Sequence, residues 1–234
     1  MNQSPKNTCL ADLRDRILSM DVAPGSDLDE TDLSDRYAIS RTPLREVLHR
    51  LAGEGYVTLS ANRGAKVASM DLNRMRTFFQ TAPLIYSSVA RLAAENRTSA
   101  QLRDLKDVQT EFAAAVGGAD ASAMALSNHR FHEIIGDMAH NPYLTASLKR
   151  LQIDHTRLGQ VFYRPSAPAE SLAIRKASQQ HDAMIHAIEA REIDVVVDLT
   201  LQHWDLSRDR MERFVRPDPL PMEIVDFMEK KNAV

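Results

Sequence analysis

Cysteine, long apolar runs and excess charge are scarce or missing in these 234 residues, and each absence excludes a class of protein. The single cysteine, Cys9, cannot form a disulfide within the chain and excludes a multi-cysteine metal site. No stretch of about 18 uncharged apolar residues occurs, so we expect no membrane-spanning helix and no membrane partner. The first ten residues lack a basic segment followed by an apolar one. We therefore expect no secretory signal and a reducing, cytoplasmic location.

The net charge of −3 argues against a protein that coats nucleic acid without selectivity. This average conceals a segregation of charge along the chain. Residues 12–35 hold eight acids and two bases, whereas residues 36–66 hold six bases and two acids. A local basic patch on an acidic chain can bind a polyanion in one orientation only.

The order of periodic patterns predicts a mainly α fold in two units. Residues 8–69 predict a winged helix-turn-helix, with short helices near 8–20 and 29–37, a third helix from Ser40, and a hairpin. Residues 70–216 predict an all-α antiparallel bundle, and residues 217–234 a C-terminal tail rich in proline at its start. The bundle helices are expected near 71–95, 99–116, 120–139, 142–163, 168–190 and 192–214.

The third helix has two distinct faces. Ser40 can act as its N-cap, and Pro43 in its first turn needs no partner for a missing N–H. Apolar residues at helical spacing predict a buried face, formed by Leu44, Val47, Leu48 and Leu51. Basic side chains recur every four residues on the solvent face, at Arg41, Arg45 and His49.

A hairpin follows, with strands near 56–59 and 65–68 around a turn that contains Asn62, Arg63 and Gly64. Three helices and a basic hairpin are typical of a winged helix-turn-helix, in which one helix enters the major groove of DNA. Arginine suits that position because its planar fork fits guanine edges and phosphates. The alternative is an ordinary amphipathic helix with a solvated basic face.

The motifs P-G-x-x-L-x-E-x-x-L, S-R-T-P-L-R-E-V-L-x-R-L-x-x-x-G and N-R-G-A-x-V follow one another from about residue 10 to residue 69. This series resembles the DNA-binding domain of GntR-type bacterial transcriptional regulators. The resemblance implies recognition-helix contacts to operator DNA from Ser40, Arg41, Thr42 and Arg45. It also implies minor-groove contacts from the wing tip, formed by Asn62, Arg63 and Gly64.

The bundle contains polar residues on helix faces that are otherwise apolar. Asn128 and His132 are four residues apart on one face, and His181 and His203 lie on the inner stripes of two later helices. Three imidazoles on inner faces can converge on one divalent cation such as Zn²⁺ or Ni²⁺. Taken singly, each histidine is more often an ordinary core or surface residue, the class to which we assign His129, His140, His155 and His186.

The segment N-H-R-F-H at 128–132, followed by Asn141, resembles the D-x-x-F-H…N signature of the FCD effector domain of the FadR subfamily. The segments around His181 and His203 resemble the later histidine segments of that domain, in the same order. The resemblance implies a metal site of one Asp and three His, in which Asn128 replaces the aspartate here. An amide oxygen carries no charge, so we expect weaker metal binding. The alternative is a polar, water-filled cavity.

Family members commonly sense small carboxylates, so the resemblance implies a carboxylate effector. The usual Arg and Glu positions of the first bundle helix hold Ala82 and Tyr86 in this chain. We therefore consider Tyr86 and Arg157 as effector-binding residues, with Arg164 as a further option.

These patterns together predict a ligand-responsive DNA-binding transcriptional regulator and not an enzyme. It is expected to act as a repressor, as a homodimer on an operator that contains an inverted repeat. One alternative is a metal-responsive regulator. A second is a metal-dependent enzyme that uses the three histidines, but no well-matched Glu or Asp base accompanies them.

Overall fold

A computed structural model describes residues 4–60 and 64–213 of the chain. The N-terminal unit contains three helices and three short strands. The helices are α1 (Pro5–Leu18), α2 (Glu30–Tyr37) and α3 (Arg41–Glu54), and the strands are β1 (Asp27–Leu28), β2 (Val57–Ser60) and β3 (Gly64–Val67).

Local capping fixes where α2 and α3 begin and end. The Asp29 carboxylate accepts hydrogen bonds from the Thr31 and Asp32 N–H groups at 2.7 and 3.0 Å, which starts α2. Ser40 occupies the N-cap position of α3, as predicted, although its side chain forms no capping hydrogen bond. Gly55 ends α3 with a φ of +96°, a conformation that glycine adopts without strain.

The three strands form an antiparallel sheet in the order β1-β3-β2. The hairpin of β2 and β3 is the predicted wing, with Thr58 opposite Lys66. The strand β1 was not predicted, because two residues are too few to show an alternating pattern; it pairs Asp27 with Lys66 on the other side of β3.

Six long helices follow, each within three residues of its predicted bounds. N-caps define several starts: Asp71, Asp120 and Asn141 each accept backbone N–H groups, and Thr98 forms a capping box with Gln101. None of the described helices is long and apolar enough to cross a membrane. The helices are α4 (Leu72–Asn96), α5 (Ser99–Gly118), α6 (Ala121–Met138), α7 (Pro142–Phe162), α8 (Pro168–Ala190) and α9 (Ile193–Arg213).

The described residues bury two separate apolar cores. One core packs α1, α2 and α3 against the sheet through side chains such as Leu13, Ile17 and Leu48. The other fills the helical bundle and includes Phe112, Phe131 and Trp204. This arrangement confirms the predicted fold class, a winged helix-turn-helix followed by an all-α bundle. The predicted tail, 217–234, lies outside the described residues.

Candidate DNA-binding and effector sites

The predicted recognition residues lie together at the N-terminal end of α3. Ser40, Arg41, Thr42 and Arg45 are all exposed, whereas Leu44 and Leu48 of the same helix are buried. The Arg45 Nε donates a hydrogen bond of 3.2 Å to the Glu30 carboxylate of α2. The basic end of α3 is therefore free to meet a polyanion, apart from this exposed ion pair.

The wing and the exposed face of α3 line one concave surface. Gly64 begins β3 and lines this surface together with Arg41, Arg45 and His49 of α3. The two other predicted wing-tip residues, Asn62 and Arg63, lie outside the described residues. The fold thus brings α3 and the base of the wing to one side of the N-terminal unit.

Three predicted metal-binding histidines converge inside the bundle. His132 of α6, His181 of α8 and His203 of α9 each offer a ring nitrogen, and these nitrogens lie within 4.8 Å of one another. All three residues are buried, as is Asn128, which is only 3% exposed. Asn128 and His203 also line one small cavity. We call Asn128, His132, His181 and His203 the histidine cluster.

Two glutamines orient the imidazoles of the histidine cluster. The Gln109 side-chain nitrogen donates to Ser178 O and to the Asp182 carboxylate, both at 3.0 Å. These acceptors fix the amide orientation, so the Gln109 oxygen accepts the N–H of His181 Nδ1 at 3.0 Å. The Gln180 oxygen lies 3.1 Å from His203 Nδ1 in the same way. Each of these contacts places the proton on Nδ1 and leaves Nε2 as a lone-pair donor.

Several atoms of the histidine cluster that could ligate a metal ion lack a hydrogen-bond partner. They are Asn128 Oδ1, His132 Nε2 and His181 Nε2, all of them buried. Buried polar atoms are nearly always hydrogen-bonded, so three unpartnered atoms on residues of one cluster require an explanation. Imidazole nitrogens with an amide oxygen are suitable ligands for a borderline divalent cation. The residues present therefore fit a metal ion.

Burial also keeps these histidines neutral, the form that binds metals. Desolvation, followed by repulsion from neighbouring histidines, lowers the pKa values of His132 and His181 well below the usual range. Desolvation lowers the pKa of His203 to about 4. All three rings are therefore uncharged at neutral pH.

Tyr86, a predicted effector residue, lies beside the histidine cluster. Its ring centroid is 5.2 Å from that of His132, and a hydrogen bond of 2.8 Å joins its hydroxyl to His155 Nδ1. His155, expected from the sequence to be an ordinary core or surface histidine, thus contacts a candidate effector residue. No local signal could have singled it out, because residues 152–160 of α7 are buried on every side of the helix.

The other predicted effector residue, Arg157, does not join the histidine cluster. Its guanidinium donates to Ala68 O at 2.7 Å and to the Asp154 carboxylate. The Arg74 guanidinium donates to the same carboxylate at 2.8 Å. We call Arg74, Asp154 and Arg157 the junction cluster, because it connects α4 and α7 to the chain segment that leaves β3. Arg157 is 0% exposed and already engaged there, so these contacts do not support a role in effector binding.

A winged helix-turn-helix joined to an all-α bundle is an architecture of DNA-binding transcriptional regulators. The family model for the FCD domain matches residues 79–206, and that for bacterial regulatory proteins of the gntR family matches residues 5–67. The chain therefore belongs to the FCD-domain regulators of the GntR family. Members of this family are transcriptional regulators and not enzymes.

Named relatives are regulators or repressors. The HTH-type transcriptional repressor RspR of Escherichia coli is 25% identical over 191 residues, 82% of each chain. The galactonate operon transcriptional repressor of the same species is 24% identical over 209 residues, 81% of this chain and 89% of the relative. The Nta operon transcriptional regulator of Aminobacter aminovorans is 28% identical over 134 residues; the match spans 57% of this chain and 63% of that protein.

Solved structures share the fold. The E. coli protein McbR/YncC superposes with a TM-score of 0.77 at 18% identity, and the match covers 92% of this chain and all of that one. A GntR-type regulator from Rhodococcus sp. RHA1 gives a TM-score of 0.59 at 16% identity, with 87% and 99% coverage.

Proposed function

We propose that this chain is a homodimeric repressor whose affinity for operator DNA is changed by a small carboxylate bound in residues 70–216. The observation that carries the proposal is the convergence of three buried imidazoles beside unpartnered donor atoms in the bundle core. Two of the named relatives are repressors, which supports repression over activation. The winged helix-turn-helix of residues 8–69 supplies the DNA-binding surface.

On the DNA side, Ser40, Arg41, Thr42 and Arg45 would enter the major groove. The wing tip of Asn62, Arg63 and Gly64 would follow the adjacent minor groove. Two copies related by a two-fold axis would bind an inverted repeat. Because Arg45 is paired with Glu30 only through an exposed contact, exchanging that partner for a phosphate or a guanine edge costs little.

Replacing Arg45 by alanine tests the DNA side. We expect operator affinity to fall by about 1–3 kcal/mol if Arg45 contacts a base edge. Fluorescence anisotropy at fixed salt, on a duplex that the wild-type protein selects from a random pool, measures the change. Arg103→Ala removes an exposed arginine of α5 and serves as the control. Wild-type affinity in Arg45→Ala would refute the assignment of the recognition helix.

On the effector side, Asn128, His132, His181 and His203 would hold a Zn²⁺ or Ni²⁺ ion. When bound, the ion supplies coordination positions for a carboxylate. Gln109 and Gln180 keep the imidazole lone pairs turned inward. Tyr86 and His155 form an adjoining polar wall that can orient the rest of the effector.

The helix α7 offers a route from the effector to the DNA-binding unit. His155 contacts Tyr86 beside the histidine cluster, and two residues later Arg157 holds Ala68 at the end of the wing. A further contact joins α7 to α1, where Gln160 donates to Leu18 O at 3.3 Å. An effector that binds best to one position of α7 would shift the population of domain arrangements and so weaken operator binding.

Metal content measured by elemental analysis tests the effector site. After incubation with Zn²⁺ or Ni²⁺ in buffer that contains sodium acetate, we expect near-stoichiometric metal in the tag-free wild-type protein and its loss in His181→Ala. His140→Ala, which changes an exposed histidine, is the matched control and should keep the metal. Absence of metal from folded wild-type protein, even after incubation with Zn²⁺ or Ni²⁺ in the presence of sodium acetate, would refute the metal site and favour a polar pocket.

A metal-responsive regulator is the second candidate, because the three imidazoles converge without any contribution from an effector. Titration of operator binding with the metal ion alone separates the two functions. A change in affinity at a stoichiometric amount of metal, with no carboxylate present, would favour the second candidate.

A further inference from the structure

We propose that the histidine cluster binds a divalent cation only weakly unless an anion binds with it, so that cation and anionic effector bind as a cooperative pair. This inference rests on the proposed function and deepens it, because it assigns the negative charge of the complex to the effector.

The donor atoms themselves are uncharged. Within the described residues, the group of convergent ligands contains three histidines and no carboxylate. Asn128, one helical turn before His132, has a buried amide oxygen without a hydrogen-bond partner and offers a fourth neutral ligand. A dication held by these four residues keeps its full charge of +2.

The groups that support the ligands are also uncharged. Imidazoles bound to metals often donate their second N–H to a carboxylate, which strengthens the ligand and offsets charge. Here the acceptors are the amide oxygens of Gln109 and Gln180. The Asp182 carboxylate lies beyond the Gln109 amide and is exposed to solvent, where its field is strongly screened.

The nearest buried charges do not compensate the cation either. Asp154 precedes His155 in α7, but its two oxygens accept from Arg74 and Arg157. These three residues together carry a charge of +1, which opposes a second cation nearby. Each member of the histidine cluster is at most 8% exposed, so water cannot screen the ion effectively.

Transfer of an unpaired charge from water to such an interior is strongly unfavourable, and an adjacent opposite charge reduces the cost. A carboxylate coordinated to the ion would lower the total charge of the site from +2 to +1. By linkage, whatever the anion adds to cation affinity, the cation adds to anion affinity by the same factor. The cavity lined by Asn128, His155 and His203 adjoins the cluster.

Titration with Co²⁺, a spectroscopic substitute for Zn²⁺, tests the proposal on the full chain after treatment with a chelator. The visible absorption of bound Co²⁺ is followed in buffer with perchlorate as the counter-ion, with and without sodium acetate. We expect acetate to increase Co²⁺ affinity at least tenfold in the wild type. Inorganic phosphate replaces acetate in a parallel titration, to show whether a carboxylate is required or any small anion suffices.

Variants at Asn128 provide the matched controls. Asn128→Asp supplies the negative charge from the protein, so it should bind Co²⁺ tightly without acetate and respond to acetate less than threefold. Asn128→Ser keeps a neutral oxygen and should retain the dependence on acetate. Far-UV circular dichroism verifies that each variant is folded.

Two results would overturn the proposal, and they are distinguishable. Tight Co²⁺ binding by the wild type, unchanged by acetate and phosphate, would refute the cooperative pair and leave the metal site intact. No Co²⁺ binding by the wild type under any condition would refute the metal site of the proposed function, and the pair with it.

Discussion

One buried polar cluster, the junction cluster, includes two residues of α7, and the other, the histidine cluster, lies beside His155 of the same helix. The two clusters differ in how their polar atoms are used. In the junction cluster the charges are paired with one another, since Asp154 accepts from Arg74 and Arg157, and Arg157 also donates to Ala68 O. In the histidine cluster the groups are neutral, and ring nitrogens from three helices lie close together, two of them without a hydrogen-bond partner.

This difference separates a structural role from a ligand-binding one. Paired charges between two units fix a geometry, and removing one member leaves the other buried and uncompensated. Buried polar atoms without hydrogen-bond partners lower the free energy of unfolding when no ligand is bound. Functional sites commonly carry this cost. Substitutions in the two clusters should therefore have opposite effects on the free energy of unfolding.

The largest effect is expected from Asp154→Ala. This change leaves Arg157, which is 0% exposed, without its carboxylate, and should lower the free energy of unfolding by about 3–5 kcal/mol. Urea unfolding followed by the fluorescence of Trp204, the single tryptophan of the chain, measures it. The control, Asp137→Ala, removes an exposed partner of Lys149 and should cost less than about 1 kcal/mol. Equal costs for both variants would contradict a special role for the junction cluster.

Arg157→Met should have the next largest effect, about 1–3 kcal/mol, because Ala68 O loses its charged donor while Asp154 keeps Arg74. Loss of this contact should also uncouple the two units. We expect calorimetry to show two unfolding transitions in place of one. Arg130→Met, at an exposed pair with Glu111, is the control. A single transition at the wild-type temperature in Arg157→Met would disprove the coupling.

Acidification should destabilise the metal-free protein through the histidine cluster. Burial lowers the pKa of His203 to about 4, below the value near 6.5 of the unfolded chain. As the pH falls, the unfolded state therefore takes up the proton first, and the free energy of unfolding decreases. Between pH 6.5 and pH 5.5 this amounts to about 1 kcal/mol for His203. Urea unfolding with a chelator, at both pH values, measures the loss; His203→Gln should show a smaller one.

The smallest effect, and of opposite sign, is expected from Asn128→Leu. Because Asn128 Oδ1 is buried without a partner, an apolar side chain of similar size should stabilise the metal-free protein by about 1 kcal/mol. The control is Asn141→Leu, since Asn141 Oδ1 caps α7 through the N–H groups of Tyr143 and Leu144. That control should lose about 1 kcal/mol. A similar loss in Asn128→Leu would mean that Asn128 is an ordinary structural residue.

The sequence was sufficient for most of the fold, because the signals involved are local. Residues that cap helices act within three positions of the helix start, as Asp29 and Asp120 do, and the apolar spacing of α3 extends over two turns. The inward positions of His132, His181 and His203 followed from the same spacing. The strand β1 escaped prediction because its two residues gain their structure from β3.

The partners of the site residues could not be predicted in this way. Gln109 and His181 are separated by 72 residues, and Arg157 and Ala68 by 89. Arg157 was predicted to bind the effector, but its place on α7 turns it toward the end of the wing. His155, two residues before Arg157 on the same helix, faces Tyr86 instead.

By itself, the sequence determined the helices, the wing, the exposed basic face of α3 and the three histidines that point inward, because periodicity and capping depend on neighbours in the chain. Only the tertiary structure decided which polar groups meet across helices. Hydrogen bonds and ion pairs require contact at about 3 Å. Successive side chains of a helix point about 100° apart. Small differences in packing therefore decided that Arg157 meets Asp154 and that the histidine nitrogens meet one another.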